Sequence, residues 1–165
     1  MNDNLYAALR AAFPADLDAT AIEDADSGGR YTWRDLERGT AMIANLLASL
    51  DLPEGSRVAV QTDKSVEALM LYLAVLRAGY VYLPLNTAYQ AGEIEYFLGN
   101  AEPAVFVCTP QAFGVLSKLA FRAGVTHVFT LGAERTGTLL DRAAQQSDRH
   151  APARRGADDL AAILR

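Results

Sequence analysis

The sequence has little cysteine and no long apolar run, and both absences narrow the class of protein. Its 165 residues include a single cysteine, Cys108, so no disulfide can form within the chain and a reducing cytoplasm is the expected compartment. No apolar run reaches the roughly 20 residues that a membrane-spanning helix needs. The first residues lack the basic and apolar regions of a secretory signal peptide. We therefore expect a cytoplasmic protein without a membrane partner.

Clustered positive charge is also missing. The net charge is −5, from 20 acidic and 15 basic residues, and the two signs are interspersed. A nucleic-acid-binding face needs a clustered basic patch, so a nucleic acid partner is not expected. The length suits about one domain, and no internal repeat or low-complexity tract divides it.

The motifs of common catalytic sites are absent as well. The sequence contains no Gly-x-x-x-x-Gly-Lys-Ser/Thr phosphate loop, no Gly-x-Gly-x-x-Gly fingerprint and no Gly-x-Ser-x-Gly elbow. Its two histidines, His127 and His150, are far apart in sequence and have no second ligand at metal spacing. Cys108 falls in an apolar run, which indicates an inert core thiol. From the residues alone we predict no catalytic, cofactor-binding or metal-binding residue.

Two groups of charged residues have a structural explanation. Asp63, Lys64 and Glu67 cluster where a helix is predicted to begin, and the helix dipole favours acids in a first turn. We interpret them as solvated or capping charges. The second group consists of four arginines: Arg142, Arg149, Arg154 and Arg155. We interpret these as a solvated loop, since nothing beside them supplies helix-terminal N–H groups or aromatic rings for an anion site.

The hydrophobic pattern predicts two long helices in the first half of the chain. The first begins at Thr32, which with Asp35 fits an N-terminal capping box, and apolar residues then recur at spacings of three and four. The second is apolar on nearly all sides, which indicates a helix covered on several sides. Arg77 in its last turn suits the helix dipole, and Gly79 ends it. Pro84 ends the strand that follows or places it at a sheet edge.

The other segments complete an alternating pattern. Residues 4–12 favour a short helix, and two short strands form a hairpin over residues 19–32. Buried strands are expected at residues 58–61, 80–84, 104–108, 125–131 and 160–164. Later helices are expected at residues 92–98, 109–124 and 138–146. We expect Gly99 to close the first of these and Phe113 to face inward in the second. The predicted class is α/β, a mainly parallel sheet flanked by helices and preceded by a short helix and hairpin.

Two stretches resemble the first core motifs of the adenylate-forming, AMP-binding ligases, a family that includes acyl-CoA synthetases. Residues 31–36, Tyr-Thr-Trp-Arg-Asp-Leu, are similar to the segment that opens a long helix in this family. Residues 76–89 begin Leu-Arg-Ala-Gly-Tyr-Val-Tyr-Leu-Pro-Leu and resemble the family's Leu-Lys-Ala-Gly-x-x-Tyr-Val-Pro-Leu segment. The strand at residues 55–60 lies between them, as in the family. Several segments are similar to malonyl-CoA synthetases in particular: residues 61–69, 71–74, 80–89, 101–103 and 155–164.

The resemblance implies an activity for the full-length relatives. They activate a carboxylic acid, malonate in the malonyl-CoA synthetases, with ATP and magnesium, and pass the acyl group to coenzyme A. It also implies that residues near 86–89 lie at the edge of a substrate or coenzyme channel. The strand at residues 160–164 is implied to lead into a glycine-, serine- and threonine-rich loop that holds the ATP phosphates.

The family's reacting groups have no matching positions in residues 1–165. The phosphate loop, the segments that bind adenine, ribose and magnesium, and the C-terminal domain with its lysine are not found there. We therefore expect residues 1–165 to be an incomplete N-terminal part of an AMP-binding domain. On this expectation the chain binds no cofactor and is inactive alone, and no catalytic, cofactor-binding or metal-binding residue is carried over to it.

Two other functions remain open from the sequence. One is a non-catalytic, stand-alone module that binds a protein partner. For an incomplete domain, in contrast, the expected partner is a second copy of the chain, through an exposed sheet edge. The other is an unrelated flavodoxin-like nucleotide binder, which would need a ligand loop at the carboxyl end of a strand. The turns at residues 61–65 and 108–110 are not glycine-rich, which disfavours the second.

Overall fold

The computed structural model describes residues 1–165 and contains one four-stranded parallel sheet. Its strands are β3 (Arg57–Gln61), β4 (Val81–Pro84), β5 (Val105–Cys108) and β6 (His127–Thr130). Their order across the sheet is β4-β3-β5-β6, and all three pairings are parallel. A separate antiparallel hairpin is formed by β1 (Thr20–Glu23) and β2 (Arg30–Thr32). The predicted α/β class is confirmed, and β4 lies at an edge, as Pro84 indicated.

Six helices surround the sheet: α1 (Leu5–Ala11), α2 (Trp33–Ala48), α3 (Val66–Arg77), α4 (Ala91–Ala101), α5 (Phe113–Arg122) and α6 (Thr138–Ala143). Helices α2, α3 and α6 cover one face of the sheet, α4 and α5 cover the other, and α1 packs against the outer side of α3. No helix is both long enough and apolar enough to cross a membrane.

The strands are buried on both faces, and their side chains alternate between two cores. Val105 and Val107 point into the core shared with α2 and α3, whereas Phe106 and Cys108 point into the core shared with α4 and α5. All four are fully buried. This explains why β5 is apolar at every position, since a parallel sheet covered on both faces has no polar side.

Helix α2 begins as the capping pattern predicts. The Thr32 hydroxyl accepts a hydrogen bond from the Asp35 N–H at 3.0 Å, and the Asp35 carboxylate accepts one from the Thr32 N–H at 2.8 Å. Within this helix, a Cβ added at Gly39 would lie 3.0 Å from the Met70 sulfur. Gly39 therefore lets α2 and α3 approach closely, which accounts for a glycine in the helix interior.

Two expectations about the later helices are wrong. Helix α4 does not close at Gly99 but continues to Ala101, and it ends at Glu102, which adopts the left-handed conformation with φ 48°. Glycine is the usual residue at such a position, so the sequence pointed to the wrong residue. Phe113, expected to face inward, is 40% exposed because it stands at the first position of α5, where the chain leaves a 3-10 turn.

Residues 160–164 do not form the buried strand that was expected. Ala162 makes a single parallel bridge with Tyr82 of β4, and Leu160 and Leu164 are 59% and 79% exposed. The segment has a partner on one side only, so its apolar residues have no second surface against which to be buried.

This segment is the end of an extended strap, residues 147–164, that crosses the carboxyl end of α3 and then runs along β4. The Ala153 N–H donates to the Arg77 carbonyl at 2.9 Å, and the Arg155 Nε donates to the Gly79 carbonyl at 2.8 Å. The prediction that this arginine-bearing segment is a solvated loop is therefore wrong for Arg155, whose side chain is 14% exposed. Its side chain binds the Gly79 carbonyl and the Glu54 carboxylate, partners that no sequence pattern marks.

Gly79 is required at the end of α3 for two reasons. Its φ of +81° is a conformation that other residues adopt at a cost. In addition, a Cβ at this position would lie 2.6 Å from the Arg155 guanidinium and 2.8 Å from the Ala153 Cβ. The predicted role of Gly79 at the helix end is confirmed, and the strap adds a steric requirement.

We expect Gly79→Ala to lower the free energy of unfolding by more than Gly55→Ala does. Gly55 has a similar φ of +76° but open space around it, so its alanine variant measures the left-handed strain alone, about 1–2 kcal/mol. Displacing the strap should add at least about 1 kcal/mol at Gly79, as overpacking does elsewhere. Urea unfolding of both variants tests this, and equal losses would show that the strap yields without cost.

Candidate functional site

The candidate functional site lies at the carboxyl edge of the parallel sheet, because open α/β sheets bind their ligands outside the carboxyl ends of the strands. Strands β3 and β4 end there at Gln61 and Pro84. The loops that follow them are residues 62–65, which enter α3, and residues 85–90, which enter α4.

Gln61 fixes the loop after β4. Its side-chain amide, on a largely buried residue, donates to the main-chain carbonyls of Asn86 at 2.8 Å and Tyr89 at 3.3 Å. The Asn86 side chain accepts from the Ala88 N–H at 2.8 Å, and the Tyr89 ring packs on Phe97 at 4.9 Å between centroids. Residues 86–89, implied by the resemblance to border a channel, thus form an ordered turn at the carboxyl edge. Their role at a channel stays a prediction.

A groove of about 420 Å³ opens beside this edge, between the first half of α3, strand β4 and the end of the strap. We call it the Lys64 groove, and nine residues line it: Lys64, Ser65, Ala68, Leu69, Tyr72, Tyr82, Pro84, Ala162 and Leu164. Tyr72 and Tyr82 meet edge to face, with 4.7 Å between ring centroids. Lys64 is exposed and has no ion-pair partner. An apolar wall with one cation suits a ligand that carries a negative group.

The residues that line the groove do not form a catalytic pair of nucleophile and base. Ser65 caps α3, because its hydroxyl accepts from the Ala68 N–H at 3.0 Å, and no histidine or carboxylate lines the groove to activate it. No cluster of three or more His, Cys, Asp or Glu residues could hold a metal ion. The geometry therefore supports binding at this edge and assigns no catalytic step to these residues.

Glu67 departs from the interpretation of Asp63, Lys64 and Glu67 as solvated charges. It is buried, and its carboxylate accepts from the Tyr31 hydroxyl at 3.0 Å and pairs with the Arg135 Nε at 3.0 Å. The Arg135 guanidinium also lies 4.9 Å from the centre of the Tyr31 ring. Burial, followed by the hydrogen bond to Glu67, raises the pKa of Tyr31. The cluster joins α3, the β1–β2 hairpin and the loop after β6, and its members are too far apart in sequence for a motif to reveal them.

Arg77 lies in the last turn of α3, as predicted, and its side chain is also buried. Its side chain is 3% exposed and donates to the Glu37 carboxylate at 3.0 Å, the Thr40 hydroxyl at 3.0 Å and the Tyr6 hydroxyl at 3.2 Å. It also donates to the main-chain carbonyls of Glu37 at 2.8 Å and His150 at 3.0 Å. A buried guanidinium needs such a set of partners, and here they come from α1, α2 and the strap.

The protonation states of this cluster follow from the arrangement. Burial, together with the hydrogen bond that its hydroxyl donates to Glu37 at 2.6 Å, raises the pKa of Tyr6 to about 12. Burial opposes ionisation of Glu37, but the hydrogen bond from Tyr6 and the charges of Arg77 and Arg10 outweigh it. The pKa of Glu37 therefore lies below its usual value, and the cluster holds one carboxylate between two guanidinium groups.

The remaining candidates have structural positions. His127 begins β6, and His150 lies in the strap, where burial and then the charge of Arg77 lower its pKa. Cys108 is fully buried at the end of β5, and burial raises its pKa to about 11, consistent with a core thiol. Arg142 stacks over the Phe129 ring at 5.6 Å, so the four arginines do not form one patch.

The fold and its edge define a parallel α/β scaffold with a binding groove and no catalytic constellation of its own. The profile of the family described as AMP-binding enzyme matches residues 9–164. The chain therefore belongs to this family of adenylate-forming ligases, as the motifs at residues 31–36 and 76–89 predicted.

Two individual relatives each match more than half of this chain. The chain is 32% identical over 85 residues to a probable CoA ligase, CCL9, of Humulus lupulus, which covers 52% of this chain and 16% of the relative. It is 29% identical over 98 residues to oxalate–CoA ligase of Arabidopsis thaliana, which covers 59% of this chain and 18% of the relative. The matched segment is thus less than a fifth of either relative.

The solved structures match more completely. The chain is 48% identical to MatB from Rhodopseudomonas palustris, with a TM-score of 0.93 over 99% of this chain and 32% of MatB, in both apo and ATP-bound structures. A benzoate CoA ligase from Burkholderia xenovorans LB400 matches at 20% identity, with a TM-score of 0.84 over 98% of this chain and 32% of that ligase, which shows the shared fold. The chain spans about a third of the length of these proteins.

We expect Glu37→Gln to lower the free energy of unfolding at pH 7 by on the order of 3 kcal/mol. This is the low end for a broken buried pair, because the Glu37 side chain is 26% exposed. Since the folded-state pKa of Glu37 is lowered, its contribution is present above its unfolded-state pKa and disappears as the pH falls through the folded value. The difference in free energy of unfolding between the unsubstituted chain and Glu37→Gln should therefore shrink steadily below about pH 4.3.

Urea unfolding of both proteins between pH 7 and pH 3 measures this difference. The matched control is Glu23→Gln, which breaks an exposed pair with Arg30 and should cost less than about 0.5 kcal/mol. A Glu37→Gln effect as small as that of the control would contradict the importance of the cluster.

Proposed function

We propose that this chain is the N-terminal part of an AMP-forming acyl-CoA ligase that activates malonate. In such a ligase ATP converts the carboxylic acid to an acyl-adenylate with magnesium present, and the acyl group then passes to coenzyme A. The observation that carries the proposal is the 48% identity to MatB over 99% of the chain at a TM-score of 0.93. The similarity of several segments to malonyl-CoA synthetases supports malonate as the acid.

The relatives support ATP as the cosubstrate and a carboxylic acid as the substrate. MatB has an ATP-bound structure, and a related anthranilate CoA ligase, 18% identical, has a structure in complex with anthranoyl-AMP. In the proposed enzyme the 165 residues supply the scaffold and the carboxyl edge, while the ATP-phosphate loop lies in the residues that follow. The negative charge that develops during adenylyl transfer needs such a cradle of donors, so residues 1–165 alone are proposed to be inactive.

A chimera tests the proposal directly. This chain would replace the matching third of Rhodopseudomonas palustris MatB, and the chimera would be incubated with ATP, magnesium, coenzyme A and malonate, or with oxalate or acetate as alternative acids. We expect malonyl-CoA as the main product, measured by chromatography. Two RpMatB-BxBclM chimeras have ATP-bound structures that match this chain at 48% identity and a TM-score of 0.93.

The isolated 165-residue chain serves as the control and should form no malonyl-CoA above background. Malonyl-CoA formation by the chain alone would contradict the assignment of the phosphate cradle to other residues. A well-folded chimera that is inactive towards all three acids would contradict the proposed function itself.

A second candidate, a non-catalytic module that binds a protein partner, is favoured by one observation. Leu69 and Leu164, which line the Lys64 groove, are 43% and 79% exposed, and exposed apolar patches mark interaction surfaces or aggregation liabilities. The ligase proposal makes a different prediction for the same surface. There the rest of the ligase would cover it, so the isolated chain should associate with itself through it.

Size-exclusion chromatography over a range of concentrations separates the two candidates. We expect the mean size to rise with concentration, and Leu164→Glu to reduce this rise by placing a charge in the patch. Val115→Glu is the matched control, since Val115 is 61% exposed on α5, which covers the other face of the sheet. A monodisperse monomer with a cooperative thermal transition would favour the settled module instead.

A further inference from the structure

The end of the strap is held against β4 by main-chain contacts. The Tyr82 N–H donates to the Ala161 carbonyl at 2.9 Å, and the Ile163 N–H donates to the Tyr82 carbonyl at 2.9 Å. The bridge between Tyr82 and Ala162 is parallel, so the strap runs in the same direction as β4. Its end at Leu164 therefore points towards the carboxyl edge of the sheet and lines the Lys64 groove.

These two hydrogen bonds do not by themselves specify a register. The flanking residues Leu160 and Leu164 are exposed, and a short apolar edge strand with few burial contacts is prone to slip. A slip of one residue would move the strap by about 3.3 Å. It would also exchange the side chains that face the groove with those that pack on the cores, where Ala161 and Ile163 now lie.

Two side chains tie the strap to the rest of the fold upstream of this segment. Asn4 is 1% exposed, and its amide donates to the Ala153 carbonyl at 2.8 Å and to the Leu76 carbonyl at 2.9 Å. Arg155 donates through Nε and Nη2 to the Gly79 carbonyl and through Nη1 to Glu54 at 2.6 Å. Both residues thus bind carbonyls at or just after the end of α3 and join them to the strap.

Two further hydrogen bonds attach the strap to the N-terminal segment. The Asp3 N–H donates to the Arg155 carbonyl at 2.9 Å, and the Arg155 N–H donates to the Asn2 side chain at 3.0 Å. The strap is therefore clamped at residues 153–155 between the N-terminal segment and the end of α3. Only five residues separate Arg155 from the first contact with β4 at Ala161, so the position of the clamp limits the register available downstream.

We propose that Asn4 and Arg155 are positioning residues that fix the register of residues 161–163 on β4. They thereby hold the peptide that follows at the carboxyl edge beside the Lys64 groove. The inference rests on the proposed function, in which that peptide leads into the loop that holds the ATP phosphates. Neither residue lines the Lys64 groove, and both act through the placement of the strap.

Amide hydrogen exchange on the 165-residue chain tests the clamp without reference to activity. In Arg155→Ala, we expect the amides of Tyr82 and Ile163 to exchange at least tenfold faster, while amides in β5 keep their rates. The matched control is Arg154→Ala, because the Arg154 side chain makes no hydrogen bond or ion pair while its neighbour makes both. Equal exchange at Tyr82 and Ile163 in the two variants would overturn the proposal.

A second variant distinguishes a local effect on the strap from a general loss of stability. Asn4→Ser keeps a side-chain oxygen that can cap α1, where Asn4 now accepts from the Tyr6 N–H at 2.8 Å, but it removes the donor to the strap. We expect it to accelerate the same two amides selectively. Acceleration of the β5 amides to the same extent would indicate global unfolding and would count against a positioning role.

Kinetics of the MatB chimera test the consequence for the site. We expect Arg155→Ala to raise the KM for ATP at least fivefold with little change in the KM for the acid, Arg155→Lys to restore part of the loss, and Arg154→Ala to leave both values unchanged. Equal effects on both KM values would overturn the link to the ATP site. An inactive parent chimera would contradict the proposed function, while the exchange measurement would still decide whether the clamp exists.

Discussion

The buried guanidinium of Arg77 is the interaction on which much of this structure depends. A charge in this position is tolerated only when its donors are satisfied, and the five acceptors that satisfy them belong to α1, α2 and the strap. The requirement of one side chain therefore decides how three separate segments meet. The same end of α3 carries Gly79, whose missing side chain leaves room for Arg155. Steric and electrostatic demands thus converge on a single helix terminus.

Helix α3 is consequently more than a cover for the sheet. One side packs on the strands and α2, another on α1, and this explains why it is apolar around most of its circumference. At its amino end Glu67 binds Tyr31 and Arg135, which fixes the hairpin and the loop after β6. At its carboxyl end Arg77 fixes the strap. The two ends of one helix therefore position the segments that border the groove and the carboxyl edge.

The sequence predicted the fold where the signal is local. The capping box of Thr32 and Asp35, the helix-ending glycine at 79 and the fully apolar run of β5 each depend on neighbouring residues or on a short period, and each is confirmed. It failed where the deciding partner is distant in sequence. Glu67 and Arg77 look like ordinary dipole-compatible charges, because nothing near them in the chain reveals Arg135 or Glu37. The prediction of a buried strand at residues 160–164 was wrong for a related reason, since apolar residues predict burial only when a second covering surface exists.

The buried and the exposed charges of this scaffold have different roles. The buried charges, Glu67 and Arg77, are both committed to ion pairs that hold segments together. Lys64, by contrast, is exposed and unpaired beside an apolar groove at the carboxyl edge. The hydrogen bonds of Glu67 and Arg77 are satisfied within the fold, so these groups are poorly suited to a reaction step in which their partners must change. They are well suited to holding segments of the fold in fixed positions. In the ligase that we propose, these residues therefore hold the carboxyl edge in place and take no part in a chemical step.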